Sequence, residues 1–566
     1  MKKRICHCFF ITFIVVLLTG NVFFWGMQKE GFHVDELFSY EQIGNTEYTK
    51  PEFDRPDEPC LNTWHSREYY EDYLTVSSDE AYDISAFYDS ASRNKAHPPL
   101  YLTLFGMYVS AFFQNNFTKW SGITFNIVFF VLTLLVLYDL SYKLLKKRRL
   151  AIFSVFLYGA SIGAVSTAVF IRVYMMLTFF TISFVDLHIH LCLKKADENS
   201  SISKRLLVYL GILITLVLGS LSQYYFVVMA FFVCLLYFII LLATKRKRLI
   251  VEYIIIIITG LAVYFAIWHN FFRDLFKESR GTEALSNLAD SSDYSVQLMH
   301  YLQEFNKYFL GGNFFWILII VSILAIKYYL KNINRFSFNN DNSFELEYNT
   351  LKNKAAQPKI KKYEKESLCV IFVLLSVILY LLTITKIAPV LKFDTFKDKR
   401  YIYNVFPLMV LITVFLIYKA ISKFYDSLIV KRIIAVIMIM FTISGYLGYG
   451  VDYLYKGADE QMEYLDVFSD YRVLFVSNLK YLVSNLNVYF THNKAVYQTN
   501  VYDLKKQNIP LKEFDDDKLI VYVSNDIEGS DSVIDIVCEE LNVQKKTFLF
   551  ETVGRHTANV YLLCLE

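Results

Sequence analysis

MKKRICHCFFITFIVVLLTGNVFFWG, residues 1 to 26, decides what kind of protein this is. Lys2, Lys3 and Arg4 lead into an apolar run of the length, about 20 residues, that a helix needs to cross the hydrocarbon core of a bilayer. A cleaved signal would have a shorter core and a small-residue cleavage site. This run ends in bulky Asn-Val-Phe-Phe-Trp-Gly, so it reads as a retained anchor. Runs of the same kind recur at roughly 98–114, 121–142, 150–165, 170–192, 206–221, 223–243, 250–269, 314–330, 368–385, 402–418 and 432–450. With 55% hydrophobic residues over 566 positions, the chain is too apolar for a soluble multidomain protein, and the alternation of a β-barrel is absent. The expected fold is mainly α: a polytopic membrane protein.

Basic residues cluster beside these runs instead of forming one continuous face, which with a net charge of +3 argues against a nucleic-acid partner. The clusters Lys2–Arg4, Lys194 and Lys195 with Lys204 and Arg205, Lys245–Arg248, and Lys419–Arg432, together with the polar loop 331–367, mark the cytoplasmic side. The last span then leads outward. Twelve runs cannot combine an inner N-terminus with an outer C-terminus, and the basic cluster 146–149 falls on opposite sides when counted from the two ends. A half-spanning or broken helix is therefore expected between 100 and 225, and a total of 11 to 13 spans.

Residues 1–451 form the expected membrane domain, with a polar, aromatic outer loop at 26–97 that is too long for a mere connection. In 452–566, YRVLFVSN, AVYQTNVYDL, KLIVYVSND, SVIDIVCEELNV, KKTFLFETV and ANVYLLCL alternate strand-like and helix-like patterns, predicting a small extracytoplasmic α/β domain. The eight cysteines are scattered without metal spacing, so no metal is expected. Cys538 and Cys564 read as free thiols, with a disulfide between them as the alternative.

Candidate chemistry begins at GFHVDELFSY, 31–40. On a helix over 34–43, Val34, Leu37 and Phe38 share a face while Asp35, Glu36 and Ser39 turn the other way, the pattern of a helix lying on the membrane surface. The acids serve either as first-turn partners of the helix dipole or as a general base at the interface. HPPLYLTLFGMY, 97–108, opens the next span with two prolines suited to a helix start and places His97 at the same interface. IRVYMMLTFF, 171–180, sets Arg172 and Tyr174 at the edge of an apolar segment, where a charge is either functional or reaches out to the headgroups. SQYYF, 222–226, brings Gln223 and Tyr224 between two spans. Two outer loops are unexpectedly basic: 270–300 with Arg273, Lys277 and Arg280, and 386–401 with Lys386, Lys392, Lys397, Lys399 and Arg400. A bound lipid phosphate or pairing with Glu283, Asp394 and Asp398 accounts for them.

The ordered set of anchor, Asp-Glu on an outer loop, HPPLY, RVYMML, SQYYF, RGTEA and KRY resembles the GT-C superfamily of polytopic glycosyltransferases, in the branch of protein O-mannosyltransferases and lipid A aminoarabinose transferases. The likeness covers about residues 1 to 450. It implies inverting transfer of a sugar from a polyprenyl-phosphate donor to an extracytoplasmic cell-envelope acceptor, a polysaccharide, teichoic acid, lipid or protein, with no further cofactor. Asp35 matches the family's catalytic base and Glu36 its acidic neighbour. His97 stands where the family has a basic residue toward the donor phosphate, and Arg400 and Tyr401 match a late element lining the donor cavity. Arg172, Tyr174, Gln223, Tyr224, Arg280 and Lys399 complete the expected donor phosphate and lipid contacts. Gln223 replaces a histidine common in relatives. The expected setting is a bacterial plasma membrane with site and C-terminal domain on the outer face. A transporter or flippase of lipid-linked sugars is the competing class, but the two halves show no matching repeats; a catalytically inactive relative is the third.

Overall fold

The computed structural model describes residues 2–44, 61–94, 97–193, 202–277, 279–289, 293–338, 364–390, 396–424, 427–478, 482–506 and 517–565. Lys194, Lys195, Lys392, Asp394 and most of the loop 331–367 lie outside them.

Among the described residues nine helices are long and apolar enough to span a membrane: Phe9–Met27, Lys119–Leu145, Tyr174–Leu193, Arg205–Ser222, Tyr224–Ala243, Lys247–Ile267, Lys365–Ile387, Lys399–Lys423 and Leu428–Gly448. Two further pairs are bent, Arg148–Gly159 with Ile162–Val169 by 56° and Tyr294–Leu310 with Phe314–Lys327 by 83°, which gives eleven if each pair is one span. The chain is a multi-pass membrane protein. The first bent pair is the broken helix expected between 100 and 225. Two expected spans need correcting. The run 98–114 forms the 13-residue helix Leu100–Phe112, about 20 Å long against a hydrocarbon core of about 30 Å. The run 314–330 is one arm of the second bent pair, and the loop before it is helical at Phe271–Phe276, Ser279–Ala289 and Tyr294–Leu310.

Residue contacts divide the chain into two units. The first comprises 1–21, 128–167 and 174–451 and holds most of the long helices. Its helices keep apolar side chains exposed at helical spacing: Val251, Ile255 and Ile258 on Lys247–Ile267, and Ile429, Ile433, Val436 and Met440 on Leu428–Gly448. Such stripes are stable only against lipid. At the end of Lys119–Leu145, Lys143 joins Asp139 and Asp186, each at 2.6 Å, which pairs the largely buried Asp186.

The second unit comprises 22–127, 168–173 and 452–566. The loop 26–97 groups here with 452–566. The reason is a shared sheet. Its strands are β1 (Trp64–Ser66), β2 (Arg472–Val476), β3 (Ala495–Thr499), β4 (Lys518–Ser524), β5 (Lys545–Glu551) and β6 (Ala558–Cys564), in the order β1-β3-β2-β4-β6-β5. β2, β3 and β4 are parallel; β1, β5 and β6 join antiparallel. The parallel strands are nearly continuous apolar runs because both faces are covered. Val473, Phe475, Ile520 and Tyr522 pack toward Leu486 and Phe490, and Leu474, Val476, Val521 and Val523 toward Val533, Ile534 and Val537. Cys538 and Cys564 are free thiols.

Candidate active site

Within the second unit, the helix Val34–Gly44 carries the acidic pair. Asp35 is 22% exposed at its side chain while Glu36 is wholly buried, and so is Ser39. The expected surface helix with a wet acidic face is thereby corrected. The helix packs on the outer-loop helices Arg67–Tyr73 and Ile84–Asn94, on Leu100–Phe112 and on the sheet-domain helix Leu482–Phe490, so it is enclosed on more than its apolar face.

A buried carboxylate needs a full set of partners, and Glu36 has them. Its Oε2 takes the ammonium of Lys29 at 2.9 Å and the amide of His33 at 2.6 Å; its Oε1 takes the amide of Ile171 at 2.8 Å. Lys29 also donates to the carbonyl of Tyr453 at 2.5 Å and lies 5.6 Å from the ring centroids of Phe32 and Tyr455. Burial pushes the Glu36 carboxyl up and the Lys29 ammonium down from their ordinary values, and each charge partly restores the other. Neither residue is accessible to a reacting hydroxyl. Their effect is to anchor the start of this helix to the non-helical segment 170–173 between two helices.

That anchor positions a second group. Ile171 is followed by Arg172, 8% exposed, whose Nη1 donates to Ser39 Oγ at 2.8 Å and whose Nη2 lies 3.0 Å from His97 Nε2. Since a guanidinium only donates, His97 accepts with Nε2 and carries its proton on Nδ1. The fixed cation is thus Arg172, and His97 is its neutral companion. Ser39 Oγ in turn donates to the backbone carbonyl of Asp35 at 3.3 Å, so the arginine is tied to the first turn of the acidic helix through one hydroxyl. The sequence brought Asp35, Glu36, His97 and Arg172 forward, and the structure gathers all four in one unit. Lys29, His33 and Ser39 were not singled out, since only long-range packing gives them their partners.

Gly122 makes this arrangement possible: a Cβ there would stand 1.9 Å from Ile171 Cγ2. Gly122→Ala is expected to displace Ile171, weaken its amide bond to Glu36, and lower stability by about 1–3 kcal/mol, measured as a fall in thermal midpoint of the purified chain.

The first unit holds the other expected residues. Asp398 caps a 3-10 turn, Lys399–Val405, accepting the Arg400 amide at 3.0 Å. Arg400 is 6% exposed, with Nε 3.4 Å from Asp398 Oδ2 and its guanidinium 5.4 Å from the Tyr401 ring. Lys399 bonds the hydroxyl of Tyr308. Around this turn the rings of Tyr225 and Tyr401 approach to 5.0 Å and those of Tyr174 and Tyr403 to 6.3 Å, while Tyr380 donates to the carbonyl of Tyr401 at 2.8 Å. The basic turn thus sits among buried tyrosines. Lys397, counted as part of an outer basic excess, instead caps the helix Glu364–Ile387 through the carbonyls of Thr385 and Lys386 at 2.7 and 2.8 Å. Arg280 makes an exposed pair with Glu283 at 3.2 Å.

Gln223 caps the helix Tyr224–Ala243 through the Tyr224 amide. The Tyr224 hydroxyl donates to the buried Asp274 at 2.5 Å and accepts from Trp268 Nε1 at 2.8 Å, and Arg273 completes Asp274 at 3.0 Å. In SQYYF it is Tyr225, passed over in the sequence, whose ring faces Tyr401. Tyr224→Phe is expected to leave Asp274 and Trp268 short of a partner and cost about 1–3 kcal/mol in unfolding experiments.

No protein-family model and no curated protein matches the chain. Among solved structures, ArnT from Cupriavidus metallidurans bound to undecaprenyl phosphate aligns with a TM-score of 0.53 at 10% identity, covering 98% of each chain. This chain shares the fold of that ArnT. The apo form of the same ArnT gives 0.49 at 12% identity over 97% of this chain and 98% of its own. AglB from Archaeoglobus fulgidus, an archaeal oligosaccharyltransferase in complex with an inhibitory peptide and a dolichol-phosphate, gives 0.44 at 10% identity over 91% of this chain and 69% of its own. The first likeness carries the fold. At such identity a shared fold leaves the chemistry to be argued from the residues themselves.

Proposed function

We propose that the chain is an inverting glycosyltransferase that moves a sugar from a polyprenyl-phosphate donor to a hydroxyl of an extracytoplasmic cell-envelope acceptor. The observation that carries this reading is the division of labour in the acidic pair: Glu36 is sealed on Lys29 while the adjacent Asp35 keeps a partly exposed carboxylate. A general base must be reachable by the hydroxyl it deprotonates, and only Asp35 of the two is. The GT-C fold, seen in ArnT bound to undecaprenyl phosphate, supports the donor class.

In the proposed step the acceptor oxygen forms a bond to the anomeric carbon as the bond from that carbon to the lipid phosphate oxygen breaks. Asp35 takes the hydroxyl proton, and the lipid phosphate departs with one more negative charge. Arg172, oriented by His97 and Ser39, is placed to receive that charge as a charge-assisted donor.

The test is transfer by the purified full chain from a panel of labelled polyprenyl-phosphate sugars to cell-envelope fractions, with the product's anomeric configuration read by NMR. Inversion is expected. Retained configuration, or no transfer from any donor, overturns the reading. Arg172→Gln is expected to weaken donor use by tenfold or more, seen in kcat/KM for the donor.

A further inference from the structure

The basic cluster at 146–149, whose side of the membrane differs when spans are counted from the two ends of the sequence, stands in the first unit beside a second basic cluster. Lys147, the N-cap of Arg148–Gly159, donates to the hydroxyl of Tyr418 on Lys399–Lys423, and its ammonium lies 4.6 Å from the centroid of that ring. Lys431, in the first turn of Leu428–Gly448, stands 5.5 Å from the same centroid. Lys419 lies over Phe415 at 5.4 Å. Three helix ends thus meet around one phenol, and the two clusters share one side of the unit.

Positive charge accumulates there. Residues 143–149 contribute five basic side chains and no acidic one, and 418–432 contribute four basic side chains and one acidic, Asp426. Lys143 is matched by Asp139 and Asp186, and Lys146 meets Glu366 at 3.8 Å. Set against nine cations, these four acids leave five over, so the surplus holds even though individual lysines have partners. Like charges gathered within a few ångströms repel, and an anion among them relieves the repulsion. The surface next to the cluster is apolar. Arg432 shares a helix face with Ile429, Ile433 and Val436 at spacings of three and four, all three of them exposed, and Leu416 and Leu428 are exposed as well. The charge therefore heads a stripe suited to acyl chains.

We infer that the cluster around Tyr418 binds the headgroup phosphate of an anionic phospholipid whose acyl chains lie along the adjoining stripe. Inorganic phosphate offers the charge without the chains, and a zwitterionic lipid offers the chains without the net charge. Only an anionic lipid uses both features. The bound lipid ties the start of Arg148–Gly159, with 12 residues about 18 Å long and too short to cross the bilayer alone, to the ends of two full-length spans. The site is separate from the transfer chemistry and stands without it.

The purified full chain, delipidated in a neutral detergent, is unfolded thermally with phosphatidylglycerol, with phosphatidylcholine of the same acyl chains, and with inorganic phosphate. Phosphatidylglycerol is expected to raise the midpoint beyond either of the others. Lys147→Gln with Arg432→Gln is expected to lose at least half of that excess, as affinity falls about fivefold for each basic residue removed. Seven of the nine basic residues remain, so the charge bias that orients the spans is kept. Lys505→Gln with Lys506→Gln, an equal change of charge in the second unit, is expected to respond as wild type. An equal rise with phosphatidylcholine or with inorganic phosphate overturns the lipid assignment. A wild-type response in the Lys147 and Arg432 variant, or an equal loss in the Lys505 and Lys506 variant, overturns the site. Should the first variant lower the midpoint in detergent alone, phosphatidylglycerol bound per chain is counted by native mass spectrometry: fewer than in wild type supports the site, the same number overturns it. None of these readouts needs turnover, so failure of the site and failure of the transferase reading are distinguishable.

Discussion

Asp35→Asn is expected to lower sugar transfer by about a hundred- to ten-thousand-fold, the range that a positioned general base contributes, while the thermal midpoint changes little. Asparagine keeps the shape of the side chain and loses only its capacity to take the proton. Because the Asp35 side chain is 22% exposed and the groups holding the helix are its backbone and its neighbours, the fold has little reason to respond. The measurement is kcat with a fixed donor and acceptor beside an unfolding curve of the same preparation. Full activity in Asp35→Asn removes this residue from the chemistry; lost activity with a collapsed midpoint makes it a structural acid.

The largest expected effect on stability lies one residue further on. Lys29→Met leaves Glu36 buried with its charge uncompensated, which costs about 3–5 kcal/mol for a buried pair. Two amides, those of His33 and Ile171, still reach Glu36, so part of its satisfaction survives. Lys29→Met with Glu36→Gln removes both charges and is expected to recover most of the loss, since replacing an entire buried pair is often close to neutral. The double-mutant cycle is read from thermal or denaturant midpoints. Additive losses would show that the two residues act independently, against the 2.9 Å contact between them.

Much of the membrane architecture was legible in the sequence because lipid imposes a length and an apolarity that few other settings require. The conflict over the basic cluster at 146–149 pointed to a broken helix between 100 and 225, where Arg148–Gly159 and Ile162–Val169 meet at a bend of 56°. What escaped was governed by contacts distant in sequence. Periodicity assigned Glu36 to the polar face, and no pattern within ten residues reveals that this face meets the amide of Ile171, 135 positions away. The same holds for Arg172, which looked like an isolated charge until His97 and Ser39 came alongside it. Tyr224 and Tyr225 are adjacent and chemically identical; only Trp268 and Asp274 decide that the first is structural. The sheet was predicted from its alternating patterns, but a three-residue strand such as Trp64–Ser66 is too short to announce itself.

That short strand bears on how the protein is made. Ser66 of β1 pairs with Ala495 of β3, so the first outer loop waits for a partner synthesised 429 residues later, 495 less 66. At about 5–20 residues per second this interval is roughly 20 to 90 s. During that time the loop is outside the ribosome without its sheet, and the helix bearing Asp35 lacks the helix Leu482–Phe490 that covers it. Translation therefore delivers the packing around the acidic helix at opposite ends of its course, and a chain interrupted after residue 451 would leave that helix without the cover of Leu482–Phe490.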